Sequence, residues 1–286
     1  MSSVLLVAHH ERDDAAMLAR RAAKHLGALG HSAWMTPDDA EALGLRDLAG
    51  DAAPSRADVA ICIGGDGTTL RTVHLLAGAP VPIIGVNVGL LGYLTEVEPP
   101  MLVEAIDRWF AGATGGGWHL DERMMLDVAV QRDGGAVGRW SALNEAVLEK
   151  LEPGHTIRLK VDIDGTPFTS YAADGLILAT PTGSTAYSFS ARGPVLSPRL
   201  RALLLTPVSP HMLFDRSLTL DASESVAIEV VGHRVATLSV DGQPACRLAE
   251  GDLVHVSASA DVARFVRFTD RRFHQILKAK FGLADR

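Results

Sequence analysis

The sequence is short of cysteine. Cys62 and Cys246 are the only two in 286 residues, and they lie far apart. So few thiols exclude a disulfide framework and a cysteine-built metal site, and they fit a reducing, cytoplasmic compartment. Long apolar runs are lacking too: none approaches the ~18 residues that a membrane-spanning helix needs. The opening Met1-Ser2-Ser3-Val4 carries neither a basic leader nor a signal-peptide cleavage pattern. Nor is there a basic tract. Lys and Arg occur as scattered pairs such as Arg20-Arg21 and Arg271-Arg272, and 27 of them face 34 Asp and Glu for a formal charge of −7. A nucleic-acid binder normally shows a basic patch, so neither nucleic acid nor membrane is expected as a partner. What is present is an ordinary globular balance, 47% hydrophobic and 21% charged. The length fits about two domains at ~150 residues each.

The first third alternates strand and helix signals. Residues 4–8 are an apolar run of strand length, and Asp13 and Asp14 offer N-cap chemistry to a helix. That helix places Ala15, Leu18, Ala22, Leu26 and Leu29 on apolar positions and stops at Gly30. Further strands are predicted over 32–35, 58–63 and 82–86, with helices over 68–77 and 101–110. The alternation predicts a parallel sheet with helices on its faces, a Rossmann-like α/β domain over residues 1–117. Gly115-Gly116-Gly117 reads as a flexible boundary. From Met124 the strands crowd together. Residues 156–164 alternate cleanly, and 225–231, 235–240, 243–248, 252–257 and 262–269 follow between turn residues. A β-sandwich-type domain is predicted over 118–269. Asp270 then caps a last helix, 271–281, with Phe273, Ile276, Leu277 and Phe281 on one stripe. A lone helix after a β domain needs a surface to cover, so residues 270–286 are expected to return to the α/β domain.

Three segments carry chemistry. Ile63-Gly64-Gly65-Asp66-Gly67-Thr68 sits between a buried strand and a helix, where small residues let backbone N–H groups approach phosphate oxygens. An Asp in such a loop repels phosphate unless it accepts a hydroxyl proton or helps organise a cation. The plain alternative is a strand-to-helix turn with Asp66 as N-cap. Position at the carboxyl end of a parallel strand favours a ligand. The loop is neither a Walker A motif nor a G-x-G-x-x-G fingerprint. Between Thr180 and Ser190 lie six Ser/Thr hydroxyls and Tyr187, a set suited to a purine and ribose, although composition alone slightly favours ordinary polar turn chemistry. Asn144-Glu145 interrupts an apolar stretch. Adjacent residues of a strand point opposite ways, so both reach one ligand only from a loop or bulge.

These segments occur in order with Asn87-Val88-Gly89-Leu90-Leu91-Gly92-Tyr93-Leu94, Glu122-Arg123-Met124-Met125-Leu126 and Asp241-Gly242-Gln243. Over nearly its whole length the chain resembles the bacterial ATP-dependent NAD kinases, above all in Thr180-Pro181-Thr182-Gly183-Ser184-Thr185-Ala186-Tyr187. The resemblance implies transfer of the γ-phosphoryl of ATP to the 2′-hydroxyl of the adenosine ribose of NAD. It implies Asp66 as general base in a phosphate loop with Gly64, Gly65 and Thr68, and Gly67 against the ligand. It makes Asn144, Glu145, Asp174, Thr185, Ala186, Tyr187, Ser188, Ser190 and Gln243 NAD contacts, with Tyr93 and His155 beside them. Arg71, one turn past the loop, is the expected nearby cation, or else a solvated helix-face Arg. No protein metal site is implied; Mg²⁺ accompanies ATP. Relatives form homodimers or homotetramers, with Asp174 near the subunit contact. Two positions depart from the family pattern. Arg192 stands where glycine is usual, which strains the backbone if φ is positive there, and Ala172 stands where relatives carry a polar contact.

Two other readings compete. A lipid or sugar kinase shares the Gly-Gly-Asp-Gly loop, but the hydroxyl-rich segment suits a nucleotide better than an acyl chain. A non-catalytic NAD(P)-binding regulator gains nothing from Asp66 beside phosphates.

Overall fold

Strands that are apolar on both faces need cover on both sides, and the start of the chain supplies it by alternating strand with helix. The structure is a computed structural model that describes residues 1–90, 92–270 and 272–283. The chain divides into two units, Met1–Glu122 with Ala263–Arg286, and Arg123–Val262. The first runs β1 (Ser3–Ala8), α1 (Asp13–Ala28), β2 (Ser32–Trp34), α2 (Pro37–Ala42), β3 (Val59–Gly64), α3 (Asp66–Leu76), β4 (Pro82–Asn87), α4 (Leu102–Phe110) and α5 (Gly112–Gly116). Strands β2, β1, β3 and β4 lie side by side in that order, all parallel. Val4, Leu6, Ile61 and Ile63 pack with Ala15, Ala19, Ala22 and Leu26 of α1 in one core. The chain leaves β1 towards β2 on one side, whereas β3 and β4 extend the sheet on the other. Ligands of open α/β sheets bind outside the carboxyl ends of strands at such a reversal, and the Gly64-Gly65-Asp66-Gly67 loop is there.

β5 (His119–Arg132) carries the chain into the second unit. It contains β6 (Gly135–Ala142), β7 (Glu145–Lys150), β8 (Ile157–Ile163), β9 (Thr166–Ala173), β10 (Gly175–Ala179), α6 (Tyr187–Ser190), β11 (Ala202–Val208), β12 (Leu218–Asp221), β13 (Ser225–Val231), β14 (Ala236–Val240) and β15 (Gln243–Leu248). One antiparallel sheet is ordered β12-β11-β10-β7-β14-β15. In the other, β8 lies between β9 and β13. Leu148, Leu176 and Leu203 of the first pack with Leu159, Tyr171 and Ile228 of the second in a shared core, the sandwich arrangement expected. β16 (Leu253–Arg267) pairs with β13 in this unit, then leads back to the first, where Arg264 and Phe265 pair in parallel with Pro82 and Ile83. The chain ends in α7 (Phe273–Phe281).

Several local expectations shift. Both crossings between units fall inside continuous strands, not after residues 117 and 269. The glycine run is no flexible linker: Gly112–Gly116 is a helical turn, followed by Trp118 stacked on Trp109 at 4.5 Å. Residues 252–257 and 262–269, read as two strands, belong to the single β16. Asp13 and Asp14 lie inside α1, whose N-cap is Arg12. Asp66 is the first residue of α3 behind an N-cap Gly65. Arg272, whose backbone N–H donates to Gln275 Oε1 (2.8 Å), replaces Asp270 as the N-cap of α7. Two residues of the sequence reading, Leu91 and the expected helix start Arg271, lie outside the described residues.

Candidate active site

A carboxylate at the first position of a helix meets free backbone N–H groups and the positive end of the helix dipole. Asp66 occupies that position on α3, yet its side chain serves a different segment. The Tyr93 N–H donates to Oδ2 (2.9 Å) and the Leu94 N–H to Oδ1 (2.9 Å). Both oxygens are therefore oriented, each with acceptor capacity left. The close approach depends on Gly92, because a Cβ there would lie 2.4 Å from Oδ1. Gly67 is the opposite case: apart from its chain neighbours and the backbone of its own helix, no atom lies within 4 Å of where its Cβ would be. Thr68 is buried. The loop glycines 64, 65 and 67 all have negative φ, so they contribute missing side chains, not left-handed backbone.

The expected cation is not at this carboxylate. Arg71 is five residues past Asp66, about 140° around the helix. Its guanidinium bonds the buried Asp39 and the Ala8 carbonyl (2.7 Å), and His10 Nε2 meets the same Asp39 oxygen at 2.7 Å. The cation beside Asp66 comes from the end of the chain. Lys280 Nζ lies 3.9 Å from Asp66 Oδ2 and 3.8 Å from the centre of the Tyr93 ring. Phe273 meets the same ring at 6.3 Å between centroids. Burial, and then Asp66 nearby, raise the Tyr93 hydroxyl pKa.

In the second unit the Asn144-Glu145 and Thr180–Ser190 motifs prove to be one assembly. The Thr180 N–H donates to the Asn144 carbonyl (2.8 Å) and its hydroxyl to the Leu143 carbonyl (2.6 Å). Gly183 presses so closely that a Cβ would sit 2.0 Å from the Asn144 carbonyl oxygen. Beneath them lies Asp241, which the sequence marked only as part of the Asp241-Gly242-Gln243 turn, without this role. Asp241 accepts from the N–H groups of Leu143 (2.8 Å), Asn144 (2.7 Å) and Glu145 (3.0 Å). It reaches them because Asp241 and Gly242, both at positive φ, turn β14 tightly into β15. Gln243, just after, is exposed.

Most hydroxyls of the rich block are taken up by other groups of the protein, within the block or beside it. Ser184 donates to the Pro181 carbonyl (2.7 Å), Thr185 to the Thr182 carbonyl (3.3 Å), and Ser188 pairs with the Thr206 hydroxyl (2.9 Å). They fasten a loop; Ser190 alone of the predicted hydroxyl contacts is exposed. Ala186 precedes α6, and Tyr187 starts it, with its hydroxyl donating to Glu149 (2.6 Å). Burial and that carboxylate push Tyr187 up to about 12. Asp174 is paired with Lys150 (2.6 Å). His155 is exposed in the loop before β8. Arg192 adopts φ +67°, the left-handed backbone that a glycine tolerates better. Ala172 offers its carbonyl to the His211 N–H (2.7 Å).

Glu145 is the most perturbed acid here. Burial, and secondarily Asp241, push its carboxyl up to about 8, against the pull of the Tyr187 backbone N–H. Its Oε2 is buried with no partner among the described residues. An unfolded Glu ionises near 4.5 and the folded one near 8, so the folded protein binds more protons between these values. Stability should therefore fall as pH rises through that window. Glu145→Gln is expected to flatten the decline, read from urea midpoints between about pH 5 and pH 9. An unchanged slope would reject the assignment.

Comparison with known proteins bears on the family and the fold. Residues 4–114 match the family model described as ATP-NAD kinase N-terminal domain, and residues 143–268 match the ATP-NAD kinase C-terminal domain. The chain is 38% identical over 285 residues to the NAD kinase of Symbiobacterium thermophilum, covering 99% of each. It is 37% identical over 299 residues to that of Mycobacterium bovis, covering 98% of this chain and 96% of the relative. Among solved structures, yeast NADH kinase complexed with NADH superposes with a TM-score of 0.88 at 25% identity, over 100% of this chain and 89% of that one. An NAD kinase from Archaeoglobus fulgidus in complex with ATP shares the fold, with a TM-score of 0.69 at 23% identity over 98% and 96% of the two chains.

Proposed function

The chain belongs to the ATP-NAD kinase family and phosphorylates NAD with ATP, and from that premise we propose that Asp66 is the general base of the transfer. In this reading the 2′-hydroxyl of the adenosine ribose attacks the γ-phosphorus and gives its proton to an Asp66 oxygen. The new O–P bond forms as the bond to the β-phosphate oxygen breaks, and ADP leaves with that electron pair. A ribose hydroxyl is a poor nucleophile, so a carboxylate within hydrogen-bond reach has a task. The observation that carries the assignment is the seating of Asp66, both oxygens aimed by backbone N–H groups at the start of a helix whose next residue, Gly67, faces open space. The N–H groups of the first turn of α3 suit phosphate oxygens. Gly92→Ala, which drives a methyl into Asp66, is expected to lower kcat about 10²-fold and stability by about 1–2 kcal/mol as the two N–H bonds to the carboxylate are disturbed. A wild-type kcat would contradict the need for this seating.

Asn144, Glu145, Asp174, Thr185, Ala186, Tyr187, Ser188, Ser190 and Gln243 are the proposed NAD contacts, with Tyr93 and His155. Support is strongest for Asn144, Glu145 and Tyr187, which the structure ties together. Arg71 leaves the set because Asp39 and Ala8 hold its guanidinium. No cluster of three or more His, Cys, Asp or Glu able to hold a metal occurs among the described residues. The divalent ion of the proposal is Mg²⁺ carried by the ATP phosphates, where it would neutralise part of their charge. Self-association into a homodimer or homotetramer also belongs to the proposal. It is supported by the exposed Phe168–Phe214 pair and the fully exposed Leu213 beside it. No helix among the described residues is long and apolar enough to cross a membrane. The cytoplasmic placement rests on two free cysteines. The test is direct: purified protein with ATP, Mg²⁺ and NAD should yield NADP, detected with an NADP-specific dehydrogenase. No NADP with any phosphoryl donor would overturn the reading.

A further inference from the structure

We propose that Lys280, on the last helix, is the cation that neutralises the phosphoryl group during transfer. The inference rests on the kinase reading above and adds a residue to it. Two anionic substrates approach a chain of net charge −7, and the transferred group passes close to the Asp66 carboxylate. Phosphoryl transfer offers the protein little covalent work; stabilising charge on the equatorial oxygens is the main contribution. A positive side chain is therefore needed at Asp66, and Arg71 faces elsewhere.

Lys280 is the side chain in place. A hydroxyl that donates to Asp66 lies about 2.7 Å from the carboxylate oxygen, and the phosphorus it attacks is its next neighbour. An ammonium 3.9 Å from Oδ2 on a flexible four-carbon stem reaches the oxygens of that phosphorus without backbone movement. At this separation the ammonium attracts the carboxylate but makes no hydrogen bond to it, so its donors remain for an acceptor that arrives. What holds it instead is the Tyr93 ring, 3.8 Å away, a cation–π contact that uses no N–H. Tyr93 thus fixes both charges, Asp66 through its backbone N–H and Lys280 through its ring. Phe273, seven residues before Lys280 and so on the same helix face, meets that ring as well. The last helix thereby presents one ammonium at the reacting carboxylate.

Lys280→Met keeps the stem and removes the charge. It is expected to lower kcat about 10²-fold while the KM for NAD stays within about twofold and the thermal midpoint is held. Lys280→Ala leaves room for an added amine, and ethylammonium should raise its kcat saturably, whereas ethanol should not. A kcat for Lys280→Met within about threefold of wild type would overturn the assignment. So would an inactive Lys280→Ala protein with a lowered thermal midpoint and no response to ethylammonium, because that is the mark of a merely structural residue. Wild-type protein in the same assay keeps the two readings apart. If it makes no NADP, the kinase reading fails; if it makes NADP and Lys280→Met does so equally well, only this inference fails.

Discussion

Asp241→Ala is expected to cost about 3–5 kcal/mol of folding stability, since the buried N–H groups of Leu143 and Glu145 and the half-buried one of Asn144 lose one charged acceptor, at about 1–3 kcal/mol for each buried group. The three donors are consecutive, Leu143, Asn144 and Glu145, just where the chain enters β7. That geometry is how Asn144 and Glu145 escape the strict alternation of a strand: Asp241 gathers their backbones around one carboxylate. Against a typical total of about 5–15 kcal/mol, the loss is enough to leave the variant marginal. Asp241→Asn should be milder. Its amide oxygen can keep the Asn144 and Glu145 N–H groups, but its NH₂ then faces the Leu143 N–H. Urea denaturation should order the proteins wild type, Asn, Ala. A second signature is separate from stability. Removing the Asp241 charge removes one cause of the raised Glu145 pKa, so Glu145 in the Asn variant should ionise at lower pH than in wild type. Equal urea midpoints for all three proteins would show that the N–H groups find other partners.

Asp66→Asn should reduce kcat by about 10²–10⁴-fold, the range attributed to a positioned general base. The substitution is not silent structurally. The carboxylate accepts from two N–H groups, one on each oxygen; an amide accepts with one atom and opposes the other N–H with its own donors. A loss of about 1–2 kcal/mol in stability is therefore expected alongside the kinetic loss. The NAD dissociation constant should change by less than about tenfold, because the Asn144, Glu145 and Tyr187 assembly is built in the second unit without Asp66. A large rise in that constant with kcat intact would move Asp66 from proton acceptor to binding residue.

How much of this was legible in the sequence differs by feature. The alternating first third read well because buried parallel strands are apolar on both faces and each helix repeats its own period. The strand-to-helix loop was visible as glycines flanking a single Asp. The direction of Arg71 was also open to reading, since five residues along a helix turn it away from Asp66. The boundary failed for a different reason. A glycine run signals freedom only where nothing packs on it, and here Trp109 and Trp118 close around a helical turn. In the hydroxyl-rich block the donors were plain and their acceptors were not, so hydroxyls that fasten the loop looked like ligand contacts. Asp241 was visible as a turn residue, but its hold on Leu143, Asn144 and Glu145 was out of reach of any local pattern, lying 97 residues from Asn144. Lys280 was hidden likewise, because the apolar stripe of the last helix marks Phe273, Ile276, Leu277 and Phe281, not the lysine set among them.

The most direct measurement is single-turnover transfer of the γ-phosphoryl group from labelled ATP to NAD, with enzyme in excess and both sites saturated. Under those conditions neither substrate affinity nor product release enters the observed rate. The account predicts that wild-type protein forms one ADP for each 2′-phosphorylated dinucleotide, and that Asp66→Asn, bound to the same NAD, does so at least about 10²-fold more slowly. Transfer by the Asp66→Asn protein at the wild-type rate would contradict it.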